Sequence, residues 1–481
     1  MAGKNQEFVT QIADINVDFP QWYTDVVLKA EMCDYGPVKG TMVIRPYGYE
    51  IWERIQEELG GRIKATGHRN AYFPMFIPKS YLMKEAEHVE GFAPEVAWVT
   101  RGGNEELAEP LVVRPTSETI ICSMYAKWIQ SYRDLPVLMN QWCNVVRWEK
   151  STRPFLRTSE FLWQEGHTVH ETAEEAQEET LKMLEVYREF TENVLAIPLS
   201  LGLKTEKEKF AGAVATYAIE ALMQDGKALQ AGTSHNLGQH FSKVFDIMYQ
   251  SREGKQEYGW QTSWGVSTRL IGGLIMVHGD QRGLVLPPRV APIEVVILPI
   301  AAHKPGVAER CAQVRDELAA AGIRVKLDDR DTVSAGWKFN EWELKGVPLR
   351  LEIGPRDMEN GVATALRRDT LEKFTLPLDG IAAAAKAKLD EIQKDLYAKA
   401  KAYRDAHTFD AQDMAGLQNA LDNGHGYVRG MWCGDRACED AVKERTGATA
   451  RCMPFQQEHI GDTCVVCGKK ADKLVLWARA Y

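Results

Sequence analysis

The chain lacks any apolar run near the ~18 residues needed to cross a bilayer, which argues against a membrane-spanning helix. Its first segment, Met1 to Asp18, has no basic stretch followed by an apolar one, so it does not read as a secretory signal. The expected location is therefore the cytoplasm. The chain also lacks a positive balance. With a net charge of -9 it is not a basic nucleic-acid binder overall, and any RNA contact must come from a local basic surface. Internal repeats and low-complexity tracts are absent, which excludes solenoids and long disordered arms. Cysteine is sparse over the first two thirds, where only Cys33, Cys122, Cys143 and Cys311 occur. The 481 residues, 45% hydrophobic and 26% charged, suffice for roughly three globular domains.

The other cysteines crowd the last fifty residues. Cys433-x4-Cys438 and Cys464-x2-Cys467 form two pairs, each expected on a tight turn, that can close a sulfur tetrahedron around zinc. Four thiolates leave no open position for water, so such a site is structural. Free or disulfide-bonded thiols are the bland alternative, disfavoured in a reducing compartment. Spacing leaves Cys452 unassigned.

Residues 18–288 mix long helices with strands. A helix is expected to begin near Pro46, place Tyr49, Trp52, Ile55 and Leu59 on one face, and stop at Gly60-Gly61. Another is expected over Glu171–Leu195. Leu284-Val285-Leu286-Pro287-Pro288 reads as a boundary. Beyond it, strands at 294–300, 323–328 and 349–353 alternate with helices at 307–321 and 337–345, the pattern of a small α/β domain with a mainly parallel sheet. Ala382 to Arg404 reads as a connecting helix. The expected division is residues 1–288, 289–380, a linker helix at 381–408, and 409–481. The fold class is α/β overall: an α+β first domain with an antiparallel sheet and flanking helices, an α/β second domain, and a small cysteine-bearing third.

Several polar strings carry candidate chemistry. Val145-Val146-Arg147-Trp148-Glu149, a loop, and then Arg157-Thr158-Ser159-Glu160-Phe161 read as a hairpin, with Arg147 and Glu149 on one face of a strand. Arginine suits phosphate through its two-pronged donor geometry. Glu149 can fix an adenine amino group or a magnesium ion, and Phe161 can stack on a base. Half-exposed surface charge explains the same string. Thr116-Ser117-Glu118 can bind an ammonium group or serve as a capping box for a helix over Ile120–Ile129. Gly265-Val266-Ser267-Thr268-Arg269 offers close backbone approach and a phosphate-binding guanidinium. Gln230-Ala231-Gly232-Thr233-Ser234-His235 is equally ambiguous, since a lone histidine is more often structural than catalytic.

Taken in order, these strings resemble the three motifs of the class II aminoacyl-tRNA synthetases: Tyr47 to Pro74, Arg147 to Phe161, and Gly265 to Arg269. Arg114-Pro115-Thr116-Ser117-Glu118, Phe161-Leu162-Trp163-Gln164-Glu165-Gly166-His167 and Leu284 to Pro288 are similar to prolyl-tRNA synthetases of the archaeal and eukaryotic type, as are Gly336-Trp337-Lys338-Phe339 and Gly346-Val347-Pro348. The resemblance covers essentially the whole chain. It implies ATP-dependent activation of L-proline to prolyl-adenylate and transfer to the 3′ end of its tRNA. It further implies a homodimer formed through the first motif, Mg²⁺ with the ATP, and structural Zn²⁺ on Cys433, Cys438, Cys464 and Cys467.

By the same resemblance, Thr116 and Glu118 hold the imino group of proline, and Arg147 binds the substrate carboxylate and the α-phosphate. Trp163, Glu165, His167 and His235 shape the proline pocket. Glu149, Thr158, Phe161, Gln230, Thr233, Ser267 and Arg269 contact ATP. The C-terminal Tyr481 matches relatives in which its carboxylate folds back toward the active site. Residues 289–380 correspond to an anticodon-binding domain, where Lys338, Lys345, Arg350 and Arg356 are candidate RNA contacts, with simple solvated charge as the alternative. Only about sixty residues separate His167 from Gln230, so no inserted editing domain is expected. Three competing readings are weaker. A sister class II enzyme fits Thr116-x-Glu118 and Trp163-x-Glu165-x-His167 poorly, a non-catalytic relative would lose Arg147 and Arg269, and a zinc-stabilised RNA-binding module leaves the ATP-like strings unexplained.

Overall fold

The computed structural model describes residues 12–86 and 95–481. The reading of Met1–Asp18 rests largely on residues 1–11, which lie outside that range.

The site is carried by six strands. β1 (Val137–Val146) pairs with β2 (Glu160–His170), which pairs with β6 (Trp260–Ser267). β6 pairs with β5 (Ala228–Gly238), β5 with β4 (Ala215–Leu222), and β4 with β3 (Leu199–Leu203). All five pairings are antiparallel. Because side chains alternate across a strand, one face carries Phe161, Trp163, Glu165 and His167 of β2, with Ser263, Gly265 and Ser267 of β6 beside them. The other face carries Gln164, Gly166, Trp264 and Val266. Against it packs α3 (Ala173–Asn193), whose Thr172 cap hydroxyl accepts from the Glu175 amide. Its buried Met183, Leu184, Tyr187 and Phe190 join Trp264 and Val266 in the main core.

α1 (Pro46–Ala65) and α4 (Arg269–His278) bury Trp52, Ile55, Leu59, Leu270, Ile271 and Leu274 in that core. The expected stop of α1 at Gly60-Gly61 is overturned, since the helix continues to Ala65. Burial of Leu59 and Ile63 outweighs the ~1 kcal/mol helix penalty of each glycine. The chain turns instead at Gly67, whose φ of +92° suits glycine alone.

The second domain has five strands in the order β8-β7-β9-β10-β11: β7 (Val295–Pro299), β8 (Val325–Leu327), β9 (Leu349–Ile353), β10 (Val362–Arg367) and β11 (Lys373–Pro377). The first three run parallel, joined through α5 (Val307–Ala320) and α6 (Ala335–Leu344). The last two are antiparallel. The sheet is therefore mixed rather than mainly parallel, because short connections without a crossover helix can only join antiparallel neighbours. α7 (Ile381–Ala406) then leads to β12 (Thr408–Ala411), β13 (Tyr427–Trp432), α8 (Arg436–Thr446), β14 (Thr449–Pro454) and β15 (Lys473–Ala478). β14 adds to the edge of β3 through Met453 and Pro454, which fuses the C-terminal strands with the first domain into one eleven-stranded sheet.

Candidate active site

A cavity of about 330 Å³ opens on the face of the sheet opposite α3. Thr116, Glu118, Arg147, Phe161, Trp163, Glu165, His167, Gln230, Thr233, His235, Ser267 and Arg269 all line it. Glu149 and Thr158 line a smaller hollow that shares Arg147, Phe161, Ser267 and Arg269 with it. Every residue proposed from the sequence for proline or ATP thus converges on one region.

One end is built around Glu165, which is 2% exposed. Its Oε1 accepts from Ser117 Oγ (2.5 Å) and Gln141 Nε2 (2.9 Å), and its Oε2 lies 2.8 Å from His167 Nε2. Burial opposes the charge on both partners, but their mutual hydrogen bond and attraction outweigh it. The Glu165 carboxyl is held below its usual range and the His167 imidazole above its own. The sign for stability follows from these directions. The Glu165 part is present above pH 4.5 and lost as pH falls through its depressed folded value. The His167 part is present below pH 6.5 and lost as pH rises through its raised folded value. Replacing His167 with Gln should therefore cost most between pH 4.5 and 6.5, about 3 kcal/mol for breaking a buried pair. The gap should shrink at higher pH. Urea denaturation of both proteins across pH 5–9 (a range of about four units) checks this, and a pH-independent gap would contradict it.

His235 behaves differently. Burial, with the His167 charge adding to it, pushes it down to about 3, so the ring is neutral at working pH. Its nitrogens meet Thr216 Oγ1 and Thr233 Oγ1, each at 2.9 Å, and Phe210 packs on the ring with centroids 4.8 Å apart. In the same cavity, Arg147 donates from Nε to the Pro115 carbonyl (3.0 Å) and lies over the Phe161 and Trp163 rings at 5.5 and 5.6 Å. Arg269 donates from Nε to the Leu156 carbonyl (3.1 Å). Burial, followed by the charges of Arg157 and Arg147, brings its pKa down to about 10. Two guanidiniums lining one cavity, Arg147 exposed to it and Arg269 half-buried, are an anion-binding arrangement.

The chain matches three family models in succession: "tRNA synthetase class II core domain (G, H, P, S and T)" over residues 98–278, "Anticodon binding domain" over 294–388, and "Prolyl-tRNA synthetase, C-terminal" over 414–481. It is 62% identical to the proline–tRNA ligase of Alkaliphilus oremlandii and 63% identical to that of Acetoanaerobium sticklandii, each over the full length of both chains. It superimposes on the crystal structure of the Cryptosporidium parvum prolyl-tRNA synthetase complexed with halofuginone and AMPPNP with a TM-score of 0.94, at 43% identity, covering 98% of this chain and 99% of that one. The chain belongs to the prolyl-tRNA synthetase family. It activates proline with ATP and charges tRNA with it.

Several details of the synthetase differ from sequence expectation. The expected strand carrying both Arg147 and Glu149 ends at Val146; the Glu149 amide turns back onto the Arg147 carbonyl (2.8 Å), and from that loop Arg147 lines the cavity and Glu149 the smaller hollow beside it. The expected capping box at Thr116-Ser117-Glu118 does not form. Ser117 occupies the cap of α2 (Glu118–Trp128) without a side-chain bond to it. The Thr116 hydroxyl instead donates to Glu118 and the Ser117 hydroxyl to Glu165. Lys338, Lys345 and Arg350 are not free for RNA. Lys338 is buried against Asp328, Lys345 bridges Glu31 and Glu341, and Arg350 is held between Glu343 and Glu352. Arg356 alone of that group is exposed. Between β2 and β6 the chain is used by α3, β3, β4, β5, a short helix (His240–Phe245) and a short hairpin.

Thr216, Phe210, Gln141 and Ser117 were missed by sequence reasoning. Thr216 carried no signal in the sequence, since only the β4–β5 register places it opposite His235. Gln230 reaches the cavity through a bulge. Ile219 pairs with Gly232 but Glu220 with Gln230, so Ala231 is the extra residue and Gln230 joins the face of Thr233 and His235.

The four C-terminal cysteines come together although Cys433 follows β13 and Cys438 lies in the first turn of α8, so only Cys464 and Cys467 share a tight turn. Their sulfurs all lie within 4.8 Å of one another, with Cys433 3.7 Å from Cys438 and 3.8 Å from Cys467. A tetrahedron with ~2.3 Å zinc–sulfur bonds has edges of ~3.8 Å, so the donor set fits that ion. Cys452 is buried on β14 in a separate apolar cluster.

Proposed function

We propose that the cavity divides into a proline half and an ATP half, with Arg147 at the junction. Thr116 and Glu118 take the secondary ammonium of proline, and Trp163, Glu165, His167 and His235 enclose its ring. Glu149, Thr158, Phe161, Gln230, Thr233, Ser267 and Arg269 take ATP. The observation that supports this reading is that Glu118, Glu165 and the neutral His235 ring share a single cavity with Arg147 and Arg269, with the charges of Glu118 and Glu165 acting on Arg147. Proline's carboxylate attacks the α-phosphorus and pyrophosphate leaves. The nucleophile is already ionised, so no general base is required, and the rate comes from alignment and from charge on Arg147 and Arg269. Mg²⁺ would accompany the phosphates, with Glu149 as the carboxylate to hold it, and would supply further positive charge there. The 3′-terminal ribose of tRNA(Pro) then attacks the adenylate carbonyl and AMP leaves.

The catalytic, anticodon-binding and C-terminal units correspond to residues 1–288, 289–380 and 409–481, with the 381–408 helix between the last two. The last unit carries structural zinc on Cys433, Cys438, Cys464 and Cys467, in the manner of the archaeal and eukaryotic type. A cytoplasmic homodimer is the expected working form. Exposed Tyr35, Val43, Tyr49 and Phe76, near or within the first motif, support a covered face there.

Proline-dependent exchange of pyrophosphate into ATP tests the division. Glu118→Gln should raise the KM for proline about thirtyfold, the worth of a charged hydrogen bond, with the KM for ATP nearly unchanged. An unaltered proline KM would remove Glu118 from the substrate site.

A further inference from the structure

A buried three-charge cluster joins the C-terminal domain to β4, a strand of the catalytic sheet. Glu220 on β4 is fully buried, and its Oε1 accepts from Lys204 Nζ at 2.7 Å. Arg451, on β14, donates to the same carboxylate from Nε (3.1 Å) and from Nη2 (3.0 and 3.2 Å), and from Nη1 to Thr449 Oγ1 (2.9 Å). Lys204 and Arg451 are themselves nearly buried. Two cations on one carboxylate exceed what neutralising it requires, and desolvating a second cation is costly. A lone pair would have been the less expensive arrangement.

The position of Glu220 gives the excess a use. Directly paired residues in an antiparallel sheet point to the same side, and Glu220 pairs with Gln230 just past the bulge. Its side chain therefore rises on the same face as Gln230, Thr233 and His235, which line the cavity together with Arg269. The Glu220 charge is felt at Arg269, where it favours the protonated guanidinium. The Arg269 side chain is otherwise bonded only through Nε among the hydrogen bonds identified. Oε2 of Glu220 is held by Arg451 whereas Lys204 bonds Oε1, so without Arg451 that oxygen would lose its cation and the carboxylate could turn toward the Arg269 guanidinium. The C-terminal tail braces the same strands, since the Ala228 amide donates to the Arg479 carbonyl (2.8 Å) and the Tyr481 amide to that of Ala228 (3.1 Å).

We propose that Arg451, assisted by Lys204, is a positioning residue for adenylation: it sequesters the Glu220 carboxylate, so that Arg269 stays available for the phosphates of ATP. The proposal rests on Arg269 being an ATP ligand. It makes the C-terminal domain a contributor to nucleotide affinity without touching the nucleotide.

The test is pyrophosphate exchange with the full-length enzyme, in which the KM values for ATP and proline are measured separately. Arg451→Met should raise the KM for ATP about tenfold and leave that for proline within about twofold. The double variant Glu220→Gln with Arg451→Met removes the competing anion and should bring the ATP KM back to within about threefold of the parent. Arg451→Lys, which keeps the charge, should remain near the parent, and Lys204→Met should shift the ATP KM in the same direction if the methionine at 451 proves insoluble. A purely structural role predicts that both KM values or kcat change together and that the double variant is no better than the single; that result, or an unchanged ATP KM in both single variants, overturns the proposal. Arg269→Ala separates the two levels. If it leaves the ATP KM unaltered, the assignment of Arg269 fails, whereas a large rise there with Arg451→Met silent sinks only the sequestration idea.

Discussion

Arg147→Ala is expected to lower kcat/KM for proline-dependent pyrophosphate exchange by at least about a thousandfold, roughly 4 kcal/mol of transition-state stabilisation. The magnitude follows from where the guanidinium sits. Its Nε is anchored on the Pro115 carbonyl and its plane is flanked by Phe161 and Trp163, so little reorganisation is needed when charge develops on the α-phosphate. Burial lowers its pKa, and the charges of Glu118, Glu149 and Glu165 counter that by favouring the cation. Alanine would leave those carboxylates facing an incoming carboxylate and triphosphate without a compensating cation. Both substrates should lose affinity, because the residue stands where the two halves of the cavity meet. Arg147→Lys should recover only part of the loss, since an ammonium cannot present two parallel donors. Retention of near-normal exchange in the alanine variant would move the phosphate-binding role to Arg269 alone.

How much of this site was legible depended on period two. Phe161, Trp163, Glu165 and His167 alternate along one strand, so their common face can be read from the string. The Thr233–His235 pair is similarly visible. Gln230 is not, because strict alternation places it on the opposite face and only the bulge at Ala231 returns it. The anticodon-domain cations failed for a different reason. Composition marks Lys338 and Arg350 as basic but says nothing about Asp328, Glu343 and Glu352, which reach them only after folding. Helix ends were legible where packing and glycine agreed, as at Gly322 after α5, and illegible at Gly60-Gly61, where buried neighbours on either side carry the helix through. The merging of C-terminal strands into the catalytic sheet had no local signal at all, since the pairing of Met453 with Leu203 spans 250 positions in sequence.

Removing zinc should have the largest effect on stability. With zinc bound, Cys433, Cys438, Cys464 and Cys467 would tie the end of β13, the first turn of α8 and the 464–467 turn to one point. The apolar core beneath is modest, and Cys438 and Cys464 are themselves part of it beside Trp432, Val465 and Trp477. Without the ion, four sulfurs within 4.8 Å of one another would lose the cation that draws them together. Binding of structural zinc by four thiolates contributes on the order of 10 kcal/mol to folding, more than a core of this size supplies alone. Calorimetry with and without a chelator, alongside metal analysis, should find about one zinc per chain. It should also find a separate low-temperature transition in the stripped protein, from which β12 to β15 melt before the catalytic strands. Cys464→Ser should reproduce that transition without chelator, whereas Cys452→Ser, on the buried strand β14 but away from the cluster, should not. A single unchanged transition after complete zinc removal would show that the tetrad is dispensable and that the seam between β14 and β3 holds the C-terminal strands unaided.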